Sequence, residues 1–171
     1  MPFTPFHFGA HACIALPVNK KINILVFVLS NVIVDIEPLL VMAFNLSYPL
    51  HGYAHTFIGS SMLGAAWGAI AYQFKTIFEK TLRILRLSSE FSMKQYILSG
   101  VLGAVIHVLF DAPLYADIKP FFPLKINPVY GLISKPLMYK ICSLLFISAV
   151  MLYFWAVNKY RDKNTYGRKK Y

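Results

Sequence analysis

The stretch INILVFVLSNVIVDIEPLLVMAF, residues 22–44, decides the fold, because it is long enough to cross a membrane and yet contains Asp35 and Glu37. A membrane-spanning helix needs about 20 mostly apolar residues. Three further stretches approach that length, at 56–74, 96–114 and 137–157. The 171-residue chain is 57% hydrophobic and only 14% charged, with a mean hydropathy of +0.55, whereas soluble domains carry about 25% charged residues. We therefore expect a single integral membrane domain, all α-helical, with four transmembrane helices.

Two segments outside these four stretches predict other structures. Residues 6–16 are apolar but too short to cross a membrane, and they end at Pro17. This pattern favours a half-length or re-entrant helix that packs against the other helices. The stretch 116–136 contains four prolines, which are typical of a structured but non-helical loop.

The net charge of +10 comes from clusters beside the apolar stretches. Basic residues lie at Lys20 and Lys21, in the loop 75–94 and in the tail 158–171. Clusters of this kind orient membrane proteins and normally face the cytoplasm, and four spans place all three on one side. The distribution therefore argues against a nucleic-acid partner and for membrane lipid as the environment. It also predicts that the basic loop and the C-terminus are cytoplasmic.

Polar residues recur at one depth in the outer half of the bilayer. His7 and His11, His51 and His55, and His107 and Asp111 form three pairs that are each four residues apart. Such a pair projects from one face of a helix. Asp35 follows Lys21 by fourteen residues and His107 follows Lys94 by thirteen, so both lie about 20 Å above the basic side at about 1.5 Å per residue.

The free-energy cost of placing these ionisable residues in a membrane indicates a bound cation. An ionisable side chain at membrane depth costs about 2.5–3.5 kcal/mol even on the gentler insertion scales. Imidazole nitrogens and carboxylate oxygens are the usual ligands of zinc and related divalent ions. We expect one or two such ions, and a carboxylate general base at Asp35 or Glu37. His11 is expected to be a packing residue and Asp117 a loop carboxylate. The predicted metal ligands are His7, Asp35, His51, His55, His107 and Asp111.

Several segments, taken in order, resemble a known family. They are MPFTPFHFGAH (1–11), SNVIVDIEP (30–38), HGYAHTF (51–57), GAVIHVLFDAP (103–113) and KPFFP (119–123). Together they resemble the YdjM-type proteins of the bacterial inner membrane, which are regarded as membrane-bound metal-dependent hydrolases. The G-x-x-x-H-x-x-x-D segment formed by Gly103, His107 and Asp111 is also similar to one in zinc-dependent phospholipase C enzymes.

The resemblance implies functional roles for individual residues. It implies metal-site positions for His7, Asp35, His55, His107 and Asp111, with His51 and Glu37 as further members. Two departures concern the substrate. The second acid of the Asp-x-Asp pattern is Glu37, and Gly52 stands where the family usually has an arginine suited to binding a phosphate.

Three functions are compatible with the sequence. The first is a metal-dependent hydrolase in the inner membrane that acts on a lipid or another membrane-associated ester, with a phosphoester preferred. The second is a divalent-metal or proton transporter that uses the same residues as a relay. The third is a non-catalytic membrane protein stabilised by a metal ion. The sequence favours the hydrolase, because the polar residues cluster at one level and no second charged layer continues toward the basic side.

Overall fold

The structure is a computed structural model that describes residues 5–167, with side chains described from 7 to 158. Within that part of the chain all regular structure is helical. The six α-helices are α1 (Pro5–Ala15), α2 (Ile24–Ala43), α3 (Phe57–Gln73), α4 (Lys75–Ile84), α5 (Met93–Asp111) and α6 (Lys135–Gly167), and short 3₁₀ helices cover Leu16–Val18 and Tyr53–His55. The predicted all-α fold is therefore confirmed. Most of the basic tail 158–171 lies outside the described side chains.

Three helices are long and apolar enough to cross a membrane. They are Ile24–Ala43, Met93–Asp111 and the Lys135–Asn158 part of α6, which correspond to the predicted spans 22–44, 96–114 and 137–157. The predicted span 56–74 also forms a helix, but α3 has only 17 residues. At about 1.5 Å per residue it extends for about 26 Å, slightly less than a hydrocarbon core of about 30 Å. Four spans remain a prediction.

The secondary structure of the shorter segments agrees in part with the predictions. The N-terminal segment forms an 11-residue helix, α1, which ends ahead of a 3₁₀ turn containing Pro17. The proline-rich stretch is free of helix and strand from 116 to 134, and α6 begins at Lys135, ahead of the last proline. The loop is fixed by bonds such as Phe57 N–H to Pro120 O at 2.9 Å. The basic segment 75–94, which the sequence suggested to be a loop, contains α4. Its apolar face buries Leu82, and this amphipathic spacing is sufficient for a short helix.

Helices α3 and α5 pack closely through facing glycines. A Cβ atom added to Gly64 would overlap the backbone of Gly100, and one added to Gly68 would lie 2.5 Å from Tyr96 O. Small residues of this kind let two backbones approach closely in a membrane. On its other side α5 packs against α2, where Ser30 Oγ donates to Gly100 O at 3.1 Å. Helix α5 is thus fixed between α2 and α3.

This packing predicts the effect of enlarging Gly100. Gly100→Leu is expected to lower the free energy of unfolding by about 1–3 kcal/mol, because the new side chain has no space between α3 and α5. Denaturant unfolding of the purified protein in detergent measures the change. Ala66→Leu, at an exposed position of α3, is the matched control and should have little effect. Equal stability of the two variants would contradict the proposed contact.

Candidate metal centre

Four of the predicted ligands converge in the structure. Asp35, His55, His107 and Asp111 each offer one ligand atom, and these atoms all lie within 4.8 Å of one another. All four residues are buried. Asp35 lies on α2, His107 and Asp111 lie one turn apart on α5, and His55 ends the 3₁₀ turn just before α3. Thr56 then caps α3 by accepting from Gly59 N–H at 2.9 Å, which fixes the chain directly after His55.

The Nε2 atoms of His107 and His55 both face carboxylates of the group. His107 Nε2 lies 3.2 Å from Asp35 Oδ1 and 3.4 Å from Asp111 Oδ2, and His55 Nε2 lies 3.8 Å from Asp35 Oδ1. Neither nitrogen has a hydrogen-bond partner within the described residues. Two buried nitrogens and two buried carboxylates therefore converge on a common point.

The orientation of Asn31 fixes the tautomer of His107. Asn31 Nδ2 donates to Val28 O at 2.7 Å, which turns its Oδ1 toward the ring. His107 Nδ1 lies 3.0 Å from that oxygen and must carry the proton that it donates. In a neutral ring Nε2 then has a lone pair that faces two carboxylates. Such an arrangement is repulsive at low dielectric unless the ring takes up a proton at Nε2 or a metal cation lies between the groups.

Glu37 orients His55 in the same way from the opposite side of the ring. Its Oε2 lies 3.3 Å from His55 Nδ1, and its carboxylate also accepts from Gly52 N–H at 2.9 Å and Ala54 N–H at 3.2 Å. A carboxylate on the outer nitrogen of a ligating histidine is a recurrent partner in metal sites. Glu37 thus contacts the Nδ1 side of His55, while the converging group lies on the Nε2 side.

The spacing of the ligand atoms fits a small divalent cation. Around an ion with bonds of about 2.0–2.2 Å, neighbouring ligands in a tetrahedron are about 3.3–3.6 Å apart. The separations of 3.2, 3.4 and 3.8 Å between nitrogen and oxygen atoms bracket that range. Two imidazoles and two carboxylates also form a donor set that zinc and its neighbours accept. The group can therefore hold a metal ion, whose identity the donor set alone leaves open.

His51 lies beside this group but outside it. Its ring packs against His55 with centroids 4.7 Å apart, and its Nδ1 lies 2.9 Å from Asp117 Oδ2. Its Nε2 is buried without a hydrogen-bond partner in the described structure. Burial lowers the pKa of His51 despite the neighbouring Asp117. For Asp117, burial raises the pKa, but the nearby His51 ring and its bonds outweigh that effect and the net pKa is lowered.

His7 borders the group on its other side, through Asp111. His7 Nε2 lies 3.7 Å from Asp111 Oδ1, and its ring centroid is 5.3 Å from that of His107. His11, expected to be a packing residue, contacts only carbonyl oxygens through its ring nitrogens, at 3.0 Å to His7 O and 3.1 Å to Gly103 O. A neutral imidazole carries one N–H and can donate to only one of these two carbonyl oxygens.

Two residues of the site were not identified from the sequence. Asn31 precedes Asp35 by four residues, so the two side chains lie on the same face of α2. This spacing was a signal from which Asn31 could have been identified. Asp117, expected to be a simple loop carboxylate, pairs with His51 across 66 positions of the chain. No local pattern reports a contact between loops that are so distant in sequence.

The group predicts how metal content responds to substitution. His107→Ala and Asp35→Asn are each expected to lose most of the bound ion, because they remove one of four ligands. Metal analysis of the purified proteins measures the loss, and circular dichroism shows whether the helices persist. Glu90→Gln, at an exposed acid outside the group, should retain the wild-type metal content. A folded His107→Ala variant with unchanged metal content would show that the ion binds elsewhere or not at all.

Comparison of the chain with protein-family models, with curated proteins and with solved structures finds no match. The candidate metal centre is therefore defined by the positions of the side chains within this fold.

Proposed function

We propose that the protein is a metal-dependent hydrolase of the YdjM type, embedded in the bacterial cytoplasmic membrane. Its substrate is an ester of a membrane lipid, with a phosphoester as the first candidate. One observation carries the proposal: the buried Nε2 of His107 faces the carboxylates of Asp35 and Asp111 without a hydrogen bond. A divalent ion, with zinc as the first candidate, compensates this charge.

Further nitrogens near the group favour catalysis over a purely structural ion. A structural zinc site is closed by four ligands, whereas a catalytic site keeps a position for water or substrate. Beyond the four converging residues, His51 packs its ring on His55 and has a buried Nε2 without a hydrogen-bond partner in the described structure. His7 has a buried Nδ1 that also lacks such a partner, and its Nε2 lies 3.7 Å from Asp111 Oδ1. A closed site with four ligands does not require these additional polar atoms, and burying each of them costs desolvation free energy.

The protein groups divide the chemical work. A bound divalent ion would supply Lewis-acid chemistry, which polarises an ester and lowers the pKa of a water molecule. Asp35, His55, His107 and Asp111 would hold the ion. Asn31 and Glu37 keep the two histidine rings in the orientation that binds it.

We assign the role of proton acceptor to His51. Asp35 belongs to the ligand group, and the Glu37 carboxylate is engaged by His55 and by two backbone N–H groups. His51 instead has its Nδ1 paired with Asp117 and its Nε2 unengaged. A carboxylate on Nδ1 keeps that proton in place and makes Nε2 the basic atom, as in other histidine bases.

The contacts at the opposite end of the helices support the proposed orientation. Gln95, near the start of α5, donates from its Nε2 to Lys21 O at 3.2 Å, so the start of α2 lies beside the basic segment 75–94. The metal group lies near the other ends of α2 and α5. With the basic side cytoplasmic, the group faces the outer leaflet, and we propose a lipid of that leaflet as the substrate.

Hydrolysis is expected to require the ion. Assays with phospholipids and isoprenoid phosphates should release product with the metal-loaded wild type. Treatment with a chelator should abolish product release, and re-addition of the metal should restore it. The Glu90→Gln control should keep wild-type activity, whereas His107→Ala should have none. A metal-loaded protein that hydrolyses none of these esters but conducts metal ions into liposomes is instead a transporter.

The assignment of His51 predicts a separation between metal binding and turnover. Asp117→Asn is expected to lower kcat by about 100-fold, within the usual contribution of general base catalysis, while the metal content stays unchanged. Steady-state kinetics and metal analysis of the same preparation measure both quantities. If metal content falls together with kcat, His51 acts as a ligand and the assignment is wrong.

A further inference from the structure

A groove of about 670 Å³ lies between α2 and α3 and is bordered by the segment that joins them. Helix α2 contributes Ile33, Ile36 and Leu40, and helix α3 contributes Met62 and Leu63. The volume is in the range of small-molecule binding sites, about 300–1,000 Å³. We propose that this groove binds one hydrocarbon chain of the lipid whose ester reaches the metal group, an inference that rests on the proposed function.

The groove offers almost no polar contact to a ligand. Among its lining side chains the charged one is Glu37, and its carboxylate is already engaged by Gly52 N–H, Ala54 N–H and His55 Nδ1. The Tyr48 hydroxyl also points to Glu37, at 3.4 Å. An occupant of this groove therefore gains stabilisation from apolar burial, at about 0.8 kcal/mol for each methylene group.

The position of the groove selects a lipid chain as its occupant. Its wall on α2 belongs to a helix long and apolar enough to cross a membrane. Its rim is exposed and apolar, since Leu40 is 44% and Met62 70% accessible. At membrane depth the molecules that meet such a rim are hydrocarbon chains. A single flexible chain also fits a narrow groove between two helices of one protein.

The groove and the metal centre lie on opposite sides of Glu37. Glu37 lines the groove and also contacts His55, whose other ring nitrogen belongs to the metal group. Ala54, which also lines the groove, immediately precedes His55. A chain seated in the groove would thus lie one layer of side chains away from the ion site. The groove would anchor the substrate, and the metal group would meet its ester.

Leu63→Trp tests the proposal by filling the groove from α3. For a long-chain phospholipid, KM is expected to rise about tenfold or more, because expelling two methylene groups already accounts for that factor. KM for a water-soluble short-chain ester and the metal content should stay at wild-type values. Ile70→Trp is the matched control, since Ile70 is exposed two turns further along α3 and lies outside the groove. Equal KM values of the two variants for the long-chain lipid would overturn the proposal.

A binding measurement separates this proposal from the proposed hydrolysis. A phospholipid with a diazirine on one acyl chain is photolysed with the protein in phosphatidylglycerol liposomes, and mass spectrometry maps the label. Label on α2 and α3 groove residues that unlabelled phospholipid displaces, and that Leu63→Trp but not Ile70→Trp removes, supports the groove even if no ester is hydrolysed. Label spread evenly over the exposed apolar residues of α6, without displacement, overturns the groove and leaves the hydrolase proposal standing. Crosslinks between two copies of this chain at the groove also overturn it.

Discussion

The structure depends on one electrostatic constraint, the meeting of the bare His107 nitrogen with two carboxylates in a buried position. Charges at low dielectric interact strongly and cannot be solvated by water. The fold nevertheless places Asp35 and Asp111 on separate helices so that they face the same ring. A bound cation would turn this repulsion into attraction. Such an ion would also link α2 and α5 with the turn before α3 and would couple metal binding to tertiary structure.

The supporting residues show that the arrangement is held in place on several sides. Asn31 and Glu37 each fix the outer nitrogen of a ligating ring, and Glu37 at the same time anchors the backbone at Gly52 and Ala54. The glycine contact between α3 and α5 brings the turn that carries His55 close to the helix that carries His107. Metal sites require this kind of support, because small displacements of the ligands weaken binding.

The candidate site and the groove give the molecule a consistent chemical layout. An apolar groove lies on one side of Glu37 and the converging imidazoles and carboxylates lie on the other. His51 and Asp117 complete the polar side from two loops. The basic segment lies at the far end of the helices, where Lys21 meets Gln95. This separation suits a reaction on a lipid whose apolar chain remains in hydrocarbon while its ester meets the ion.

Sequence alone determined the helical class, three of the long apolar helices and the short helix before Pro17. These properties depend on composition, on the length of apolar runs and on the fixed rise of a helix, all of which are local. It also indicated Asp35, His55, His107 and Asp111 as ligands, which the structure brings together.

Tertiary structure alone decided that His51 lies beside this group and that Asp117 pairs with His51. It also decided that Glu37 faces the outer side of His55 and that α4 interrupts the basic segment. Those outcomes depend on how the loops fold back and how the helices rotate against each other. Residues that are 66 positions apart carry no local signal of such a contact.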